Sequence, residues 1–398
     1  MKCAHWMYSC LAIVILAASA HGATFFVDAG AGDDANAGTA AAKPFLTIQK
    51  AINEAALRPG PDVIQIAEGE YAENLFIKDT DPLTLSGGGG VEIVAANSTV
   101  EAIKISCGDV SISDLAISNG KKGISASGSA KYPVSLTLRN VVMHDNKGDG
   151  VNAVNLVDIT VSRCTFRANR GTAVKVQIAE DLTISNSTLE ANTGRGVRAE
   201  DVGSVVISRC QILNNNDDGV KAVTVGIDRT QASFSVIDTT ISGSADDGID
   251  LELVGDIRLT NVTVQDTVGD DGVSVDDGVS VSIIDSIFAN SAFDGIDIDD
   301  VESVSIVSTK SVDNGVGGLQ VKAEEHCNVQ SVRIIGSEFL DNGADGVWIT
   351  EEGTIVERAS LSSVTATGNG GSGLNIDITG ALKLSAVTSE NNGVPDVL

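Results

Sequence analysis

Apolar and polar residues alternate one by one through most of this chain, as in VDITVSRCTF from Val157 to Phe166. Short turns rich in Asn, Asp and Gly divide the runs. Alternation of period two sends successive side chains to opposite faces of a strand, and from Gly123 onward no helical period interrupts it. The pattern repeats. A Gly followed by apolar-x-apolar returns from Gly123 to Gly373, most often 23 residues apart as between Gly196 and Gly219, with Ala173 in one place of the column. A unit of that length made only of short strands predicts one turn of a right-handed parallel β-helix, with about 11 to 12 coils stacked roughly 4.8 Å apart. Leucine-rich repeats share the length, but Leu holds no fixed place here.

Other columns follow from the same register. Four residues before the Gly lie Asn119, Asn146, Asn169, Asn192, Asn215, Ser244, Ser291, Asn314, Asn342 and Asn369, with one coil out of register. This predicts an asparagine ladder, with amides satisfying one another and the turns, and with Asn tolerating left-handed backbone. Nine residues before the Gly stand small side chains, Cys164, Ser187, Cys210, Thr239, Thr263, Ser286, Thr309 and Ser337. Cys164 and Cys210 fall two coils apart, beyond disulfide reach, and are expected as buried thiols.

The first hundred residues differ. A strand, a polar loop and a helix over about Thr47–Ala56, with Ile48, Ala51, Ile52 and Ala55 on one face, predict a cap over the open end of the solenoid. The expected division is a signal peptide over 1–22, the cap and first coils over 23–100, and β-helix coils over 101–398. The final NNGVPDVL lacks a comparable cap pattern, which fits a short end, a truncation or a covering partner.

Composition narrows the function. The start, MKCAHWMYSC then LAIVILAASA, has the order of a secretory signal, and its apolar run is too short to span a bilayer. The mature protein is therefore expected outside the cytoplasm, secreted, periplasmic or at the cell surface. A net charge of −28 excludes nucleic acid and anionic lipid as partners unless a cation intervenes. With no CxxC spacing a zinc site is not expected, and His326 beside Cys327 is assigned no metal role.

Charge is densest in SADDGIDLEL, Ser244–Leu253, and the idea recurs at DDGVSVDD and FDGIDIDD. Alternation turns Asp250 and Glu252, Ser274 and Asp276, and Asp297 and Asp299 outward in columns, with Asp247, Asp271 and Asp294 at the adjoining turn. Like charges about 5 Å apart repel by roughly 3 kcal/mol at an effective dielectric near 20, and by under about 1 kcal/mol in water. Several oxygen ligands without His or Cys suit Ca²⁺. A solvated acidic face is the alternative. Paired carboxylates such as Asp247 with Asp271, or Asp271 with Asp294, also have the residue types of a glycoside hydrolase.

The mature N-terminal stretch TFFVDAGAGDDANAGTAAAKPFLTIQKAI resembles that of secreted right-handed β-helix proteins of the pectate-lyase-like kind. SADDGIDLEL is similar to the calcium coil of the family-nine pectate lyases, which reads NADDGWDL. The resemblance implies Ca²⁺ ligands at Asp246, Asp247 and Asp250, with Asp218 from the coil before. The residue pattern adds Asp271, Asp276, Asp294 and Asp297.

The lyases place their proton-abstracting Lys in a later coil, two residues after the Gly. Here that column continues Ser274, Asp297, Gln320, Trp348 and Asn375, while Lys175, Arg198 and Lys221 precede Asp250. If the chain is a lyase, Lys221 is the candidate base and Arg198 the candidate clamp for a uronate carboxylate. Lys175 and Trp348 are candidate sugar contacts. The other reading has the three basic residues balancing the ladder and Trp348 packing beneath a neighbouring insertion. Two functions follow: interaction with an acidic polysaccharide, extending to calcium-assisted β-elimination, or a non-catalytic surface or matrix protein stabilised by Ca²⁺.

Overall fold

The alternation along Ile249–Thr260 becomes one long bent strand that buries Ile249, Leu251, Val254, Ile257 and Leu259 and leaves Asp250 and Glu252 on the outer face. This is seen in a computed structural model that describes residues 22–78, 81–225, 233–324 and 328–398. A short strand, Thr263–Gln265, closes the coil, so each coil has three faces. Successive coils pair in parallel, residue on residue: Ile249 lies against Val273, and Val273 against Ile296. The result is an all-β solenoid of about 14 turns with one short helix near its N-terminus.

The count exceeds the 11 to 12 expected because the Gly motif begins late. Strands Thr24–Val27, Asp62–Ile66 and Leu83–Gly87 already stack beneath Gly108–Ser118, yet none carries the motif. The motif marks only coils whose neighbours press on that turn. A Cβ on Gly219 would lie 2.6 Å from the carbonyl oxygen of Gly248 and 2.4 Å from Ile241.

In the regular coils a corner turns through a single residue of positive φ, as at Leu253 (55°), Asn261 (53°) and Asp266 (58°) in one coil. The asparagine ladder forms as expected from Asn146 to Asn215 and from Asn314 to Asn369, and it runs one coil further to Asn392. Asn169 Nδ2 donates to Asn192 Oδ1 at 3.0 Å, and Asn192 Nδ2 to Phe166 O at 3.2 Å. Ser244, Thr267 and Ser291 take the column between, as small buried hydroxyls.

Two register assignments are corrected. Asn119 lies one residue before the ladder, where Gly120 takes the place and its N–H donates to Asn146 Oδ1 at 2.9 Å. The left-handed residue is the one preceding each ladder Asn, such as Ala168 and Ala191, so the amides serve as hydrogen-bonding groups and not as left-handed ones. In the small-residue column Val262, not Thr263, fills the longer coil, because Thr263 pairs with Thr240. Cys164 and Cys210 are free buried thiols, and burial pushes the Cys164 thiol up to about 11. Cys327, His326 and the signal segment lie outside the described residues.

The helix, Ile48–Ala55, starts at Thr47, whose side chain accepts from Lys50 N, and buries Ile48, Ala51, Ile52 and Ala55 against the first strands. Glu73 accepts from the N–H groups of Ile48 and Gln49 at 2.8 and 2.9 Å, so the unpaired donors of the first turn are met by a charge. Among the described residues no helix is long and apolar enough to cross a membrane.

Candidate functional site

Just before each column Gly, the chain carries one residue whose carbonyl accepts from the column residue of the coil before. Arg195, Asp218, Asp247, Asp271 and Asp294 stack here in consecutive coils. The aspartates are buried by the turn and partly used by it. Asp271 N donates to Asp247 Oδ1 at 2.9 Å, and Asp294 N to Asp271 Oδ1 at 2.6 Å; Asp294 Oδ1 accepts from Gly317 N. A column expected only as ligands therefore also supports the turns. Each carboxylate spends one oxygen on backbone and keeps the other.

Asp218 breaks this arrangement. Its Oδ2 accepts from Arg195 Nε at 2.6 Å, while its Oδ1 is buried and has no hydrogen-bond partner. The residue is 1% exposed. A buried carboxylate oxygen without a donor is costly unless a cation completes it. Oxygens of Asp218, Asp247 and Asp250 lie within 4.8 Å of one another, as do those of Asp217, Asp218 and Asp246, and those of Asp247, Asp270 and Asp271. Oxygens bound about 2.3–2.6 Å from a shared Ca²⁺ lie up to roughly 5 Å apart, so the donor set fits this ion in both chemistry and spacing.

The outer columns run as read. Lys175, Arg198, Lys221, Asp250, Ser274, Asp297, Gln320, Trp348 and Asn375 follow one another in register. Lys221 Nζ is bonded to Asp250 Oδ2 and, at 2.6 Å, to Glu252 Oε1. Arg198 is paired with Glu200 in its own strand. Lys175 is half-buried between Asn152 and Arg198, and Trp348 is half-buried beside Gln320. Asp297 accepts from Gln320 Nε2 at 2.6 Å and faces Lys322 at 3.7 Å. Asp276, Asp294 and Asp297 belong to none of the three carboxylate groups; Asp276 is exposed.

Burial governs the ionisation of the site. It pushes Asp247 up to about 8, aided by the charges of Asp250 and Asp270, and Asp271 up to about 8. Asp218 and Asp294 rise to about 6 by burial, Asp218 being held back by Arg195. Asp299 rises to about 7 through burial and its neighbour Asp297. Lys221 moves the other way: burial disfavours its charge, but the hydrogen bonds and charges of Asp250 and Glu252 outweigh this and hold the ammonium well above its ordinary range. At neutral pH it is a cation already in use.

Sequence reading did not single out Asp217, Asp270, Arg195 or Lys322. The first two are the leading Asp of DDG doublets, the same signal that marked Asp246. Arg195 immediately precedes Gly196 and so shares the column of Asp218. Lys322, at 3.3 Å from Asp299, sits in the outward column one step further along the strand, where it ends the acidic stretch as Lys221 begins it.

The parallel solenoid defines the class of protein. The model of the right handed beta helix region matches residues 101–226 and 223–394, and the chain belongs to that family. No curated protein sequence matches it. Similar solved structures include the A-module of the mannuronan C-5 epimerase AlgE6 of Azotobacter vinelandii, at 15% identity and TM-score 0.45, covering 88% of this chain and 94% of that one. A rhamnogalacturonan lyase matches at 12% identity and TM-score 0.47, covering 74% and 82%. The pectate lyase Pel9A matches at 15% identity and TM-score 0.38, covering 87% and 79%. Similarity at this level does not extend to a shared site.

Proposed function

We propose that this protein is an exported β-helix that binds an acidic polysaccharide through Ca²⁺ held by Asp218, Asp247 and Asp250. The observation that carries the reading is the buried, unpartnered Oδ1 of Asp218, on a carboxylate that has an oxygen within 4.8 Å of oxygens of Asp247 and Asp250. Bound there, Ca²⁺ would supply a positive centre for uronate carboxylates on a face that otherwise repels them. Arg198 and Lys175, on the coils before, would contact the same polymer.

The ion pair of Lys221 favours binding over cleavage. As the base of a β-elimination Lys221 would first have to leave Asp250 and Glu252 and lose a proton that both hold in place. A non-catalytic surface or matrix protein needs no such step. Cleavage, with Lys221 as base and Arg198 as clamp, is the second reading.

Calcium titration by calorimetry, followed by binding and turnover assays on polygalacturonate, alginate and glycosaminoglycans with and without Ca²⁺, tests both. Saturable Ca²⁺ binding that Asp218→Asn abolishes is expected, with polymer retained only in Ca²⁺. Unsaturated uronide product that disappears in Lys221→Met would establish the lyase. If the wild-type protein binds no Ca²⁺, the proposal fails.

A further inference from the structure

The turn that presents Asp270 continues along the solenoid with a change of chemistry. Phe293 N donates to Asp270 O at 3.4 Å, and Val316 N to Phe293 O at 3.0 Å, so the three residues occupy one position in three successive coils. Side chains in register on stacked parallel coils leave the backbone in the same direction. The Asp270 carboxylate reaches the groups of Asp247 and Asp271. Phe293 therefore projects along the same edge, one coil beyond Asp270 and Asp271 and two beyond Asp247 and Asp250.

The ring is one of few exposed aromatics among the described residues, the others being Phe76 at 38% and Tyr132 at 46%. Phe25, Phe45, Phe166, Phe234, Phe288 and Phe339 are buried, whereas Phe293 is 50% exposed, with Val316 at 37%. Full burial of a Phe side chain contributes about 1.5–3 kcal/mol, roughly half of which this one forgoes. We propose that the Phe293 ring is a stacking platform for a pyranose of the bound polysaccharide, beside the carboxylate edge that begins at Asp218. This rests on the polysaccharide reading above and assigns it a second contact, which needs no charge.

Two features favour a sugar over a protein as the occupant. The exposed apolar side chains here are Phe293, Val316 and, in the turn of Asp270, Val268, far short of the roughly 800 Å² a side that a standard protein interface buries. A pyranose has an apolar C–H face of the size of one ring and polar edges that suit flanking carboxylates and a cation. The coil spacing of about 4.8 Å is also comparable to the advance of one sugar unit, so a polymer lying along the axis would meet the ring about two units beyond the ion.

The test compares wild type, Phe293→Ala and Phe293→Trp for Ca²⁺ affinity, melting temperature, and affinity for polygalacturonate and alginate in saturating Ca²⁺. Phe293→Ala is expected to lose about tenfold or more in polymer affinity, with Ca²⁺ affinity and melting unchanged, and Phe293→Trp to restore it. Equal polymer affinity in Phe293→Ala overturns the platform and leaves the calcium reading standing. A parallel loss of Ca²⁺ affinity or stability also overturns it, since the ring would then act through the fold. Absence of polymer binding by a wild type that binds Ca²⁺ removes both the platform and the polysaccharide, and absence of Ca²⁺ binding removes the reading at its root.

Discussion

Lys221 of one coil is bonded to Asp250 of the next, across the seam where the outer column changes from basic to acidic. The ammonium occupies the carboxylate that Ca²⁺ would need, so the two cations compete. Lys221→Met keeps the aliphatic stem and removes the charge. Calorimetry is expected to give several-fold tighter Ca²⁺ binding, and the metal-free protein is expected to melt lower because Asp250 and Glu252 lose their partner. Unchanged Ca²⁺ affinity would show that Asp250 takes no part in binding.

Stability without metal should fall as pH rises. Asp247 and Asp271 are pushed up to about 8, Asp299 to about 7, and Asp218 and Asp294 to about 6. Each holds its proton more tightly folded than unfolded. The stability contributed is full below the ordinary carboxylate range and is lost as pH climbs through about 6 to 8. Melting scans in chelator are expected to run several degrees higher at pH 5 than at pH 8.5. Added Ca²⁺ should reverse the trend, because its ligands must be deprotonated. A flat chelated profile would contradict the burial of these groups.

Asn192 tests the ladder. Its Oδ1 accepts from the backbone and side-chain N–H groups of Asn169 at 3.1 and 3.0 Å, and its own amide serves Phe166 O. Asn192→Ala strands buried groups in two coils at a cost of about 2–3 kcal/mol. A clear drop in denaturant midpoint is expected. Retention of the wild-type midpoint would mean that water replaces the amide.

Ile178 offers a gain. It stands at φ 61° and is 49% exposed, at a corner that Asn155 and Asp201 occupy in the adjacent coils. A β-branched side chain is strained there by about 1–2 kcal/mol, and Asn tolerates the conformation better. Ile178→Asn is expected to raise the melting temperature by a few degrees. A lower melting temperature would show that the exposed side chain contributes packing that outweighs the strain.

Periodicity made most of the fold legible. Strands such as Val174–Ser185 and Ile249–Thr260 alternate inward and outward as read, since a strand has only two faces and a one-residue slip would bury every acid in a coil. The helix at Ile48–Ala55 was legible from its apolar stripe, and the outer column from Lys175 to Asn375 from the Gly register. Where a coil gains a residue, as before Gly272, the register alone could not say which corner absorbs it, so Thr263 stood in for Val262. Asn119 was misplaced for the converse reason, since the turn from Gly120 to Gly123 is one residue shorter than that from Asn146 to Gly150.

The candidate site divides along the same line. That acids cluster, face outward and exclude His and Cys follows from the order of residues. Which oxygen is left over does not, because it depends on hydrogen bonds between coils 23 to 29 residues apart, such as Arg195 to Asp218, Lys221 to Asp250 and Asp271 to Asp247. Local pattern determines the direction of a side chain. Only the stacking of coils decides whether its charge meets a backbone N–H, a lysine, or nothing, as at Asp218 Oδ1.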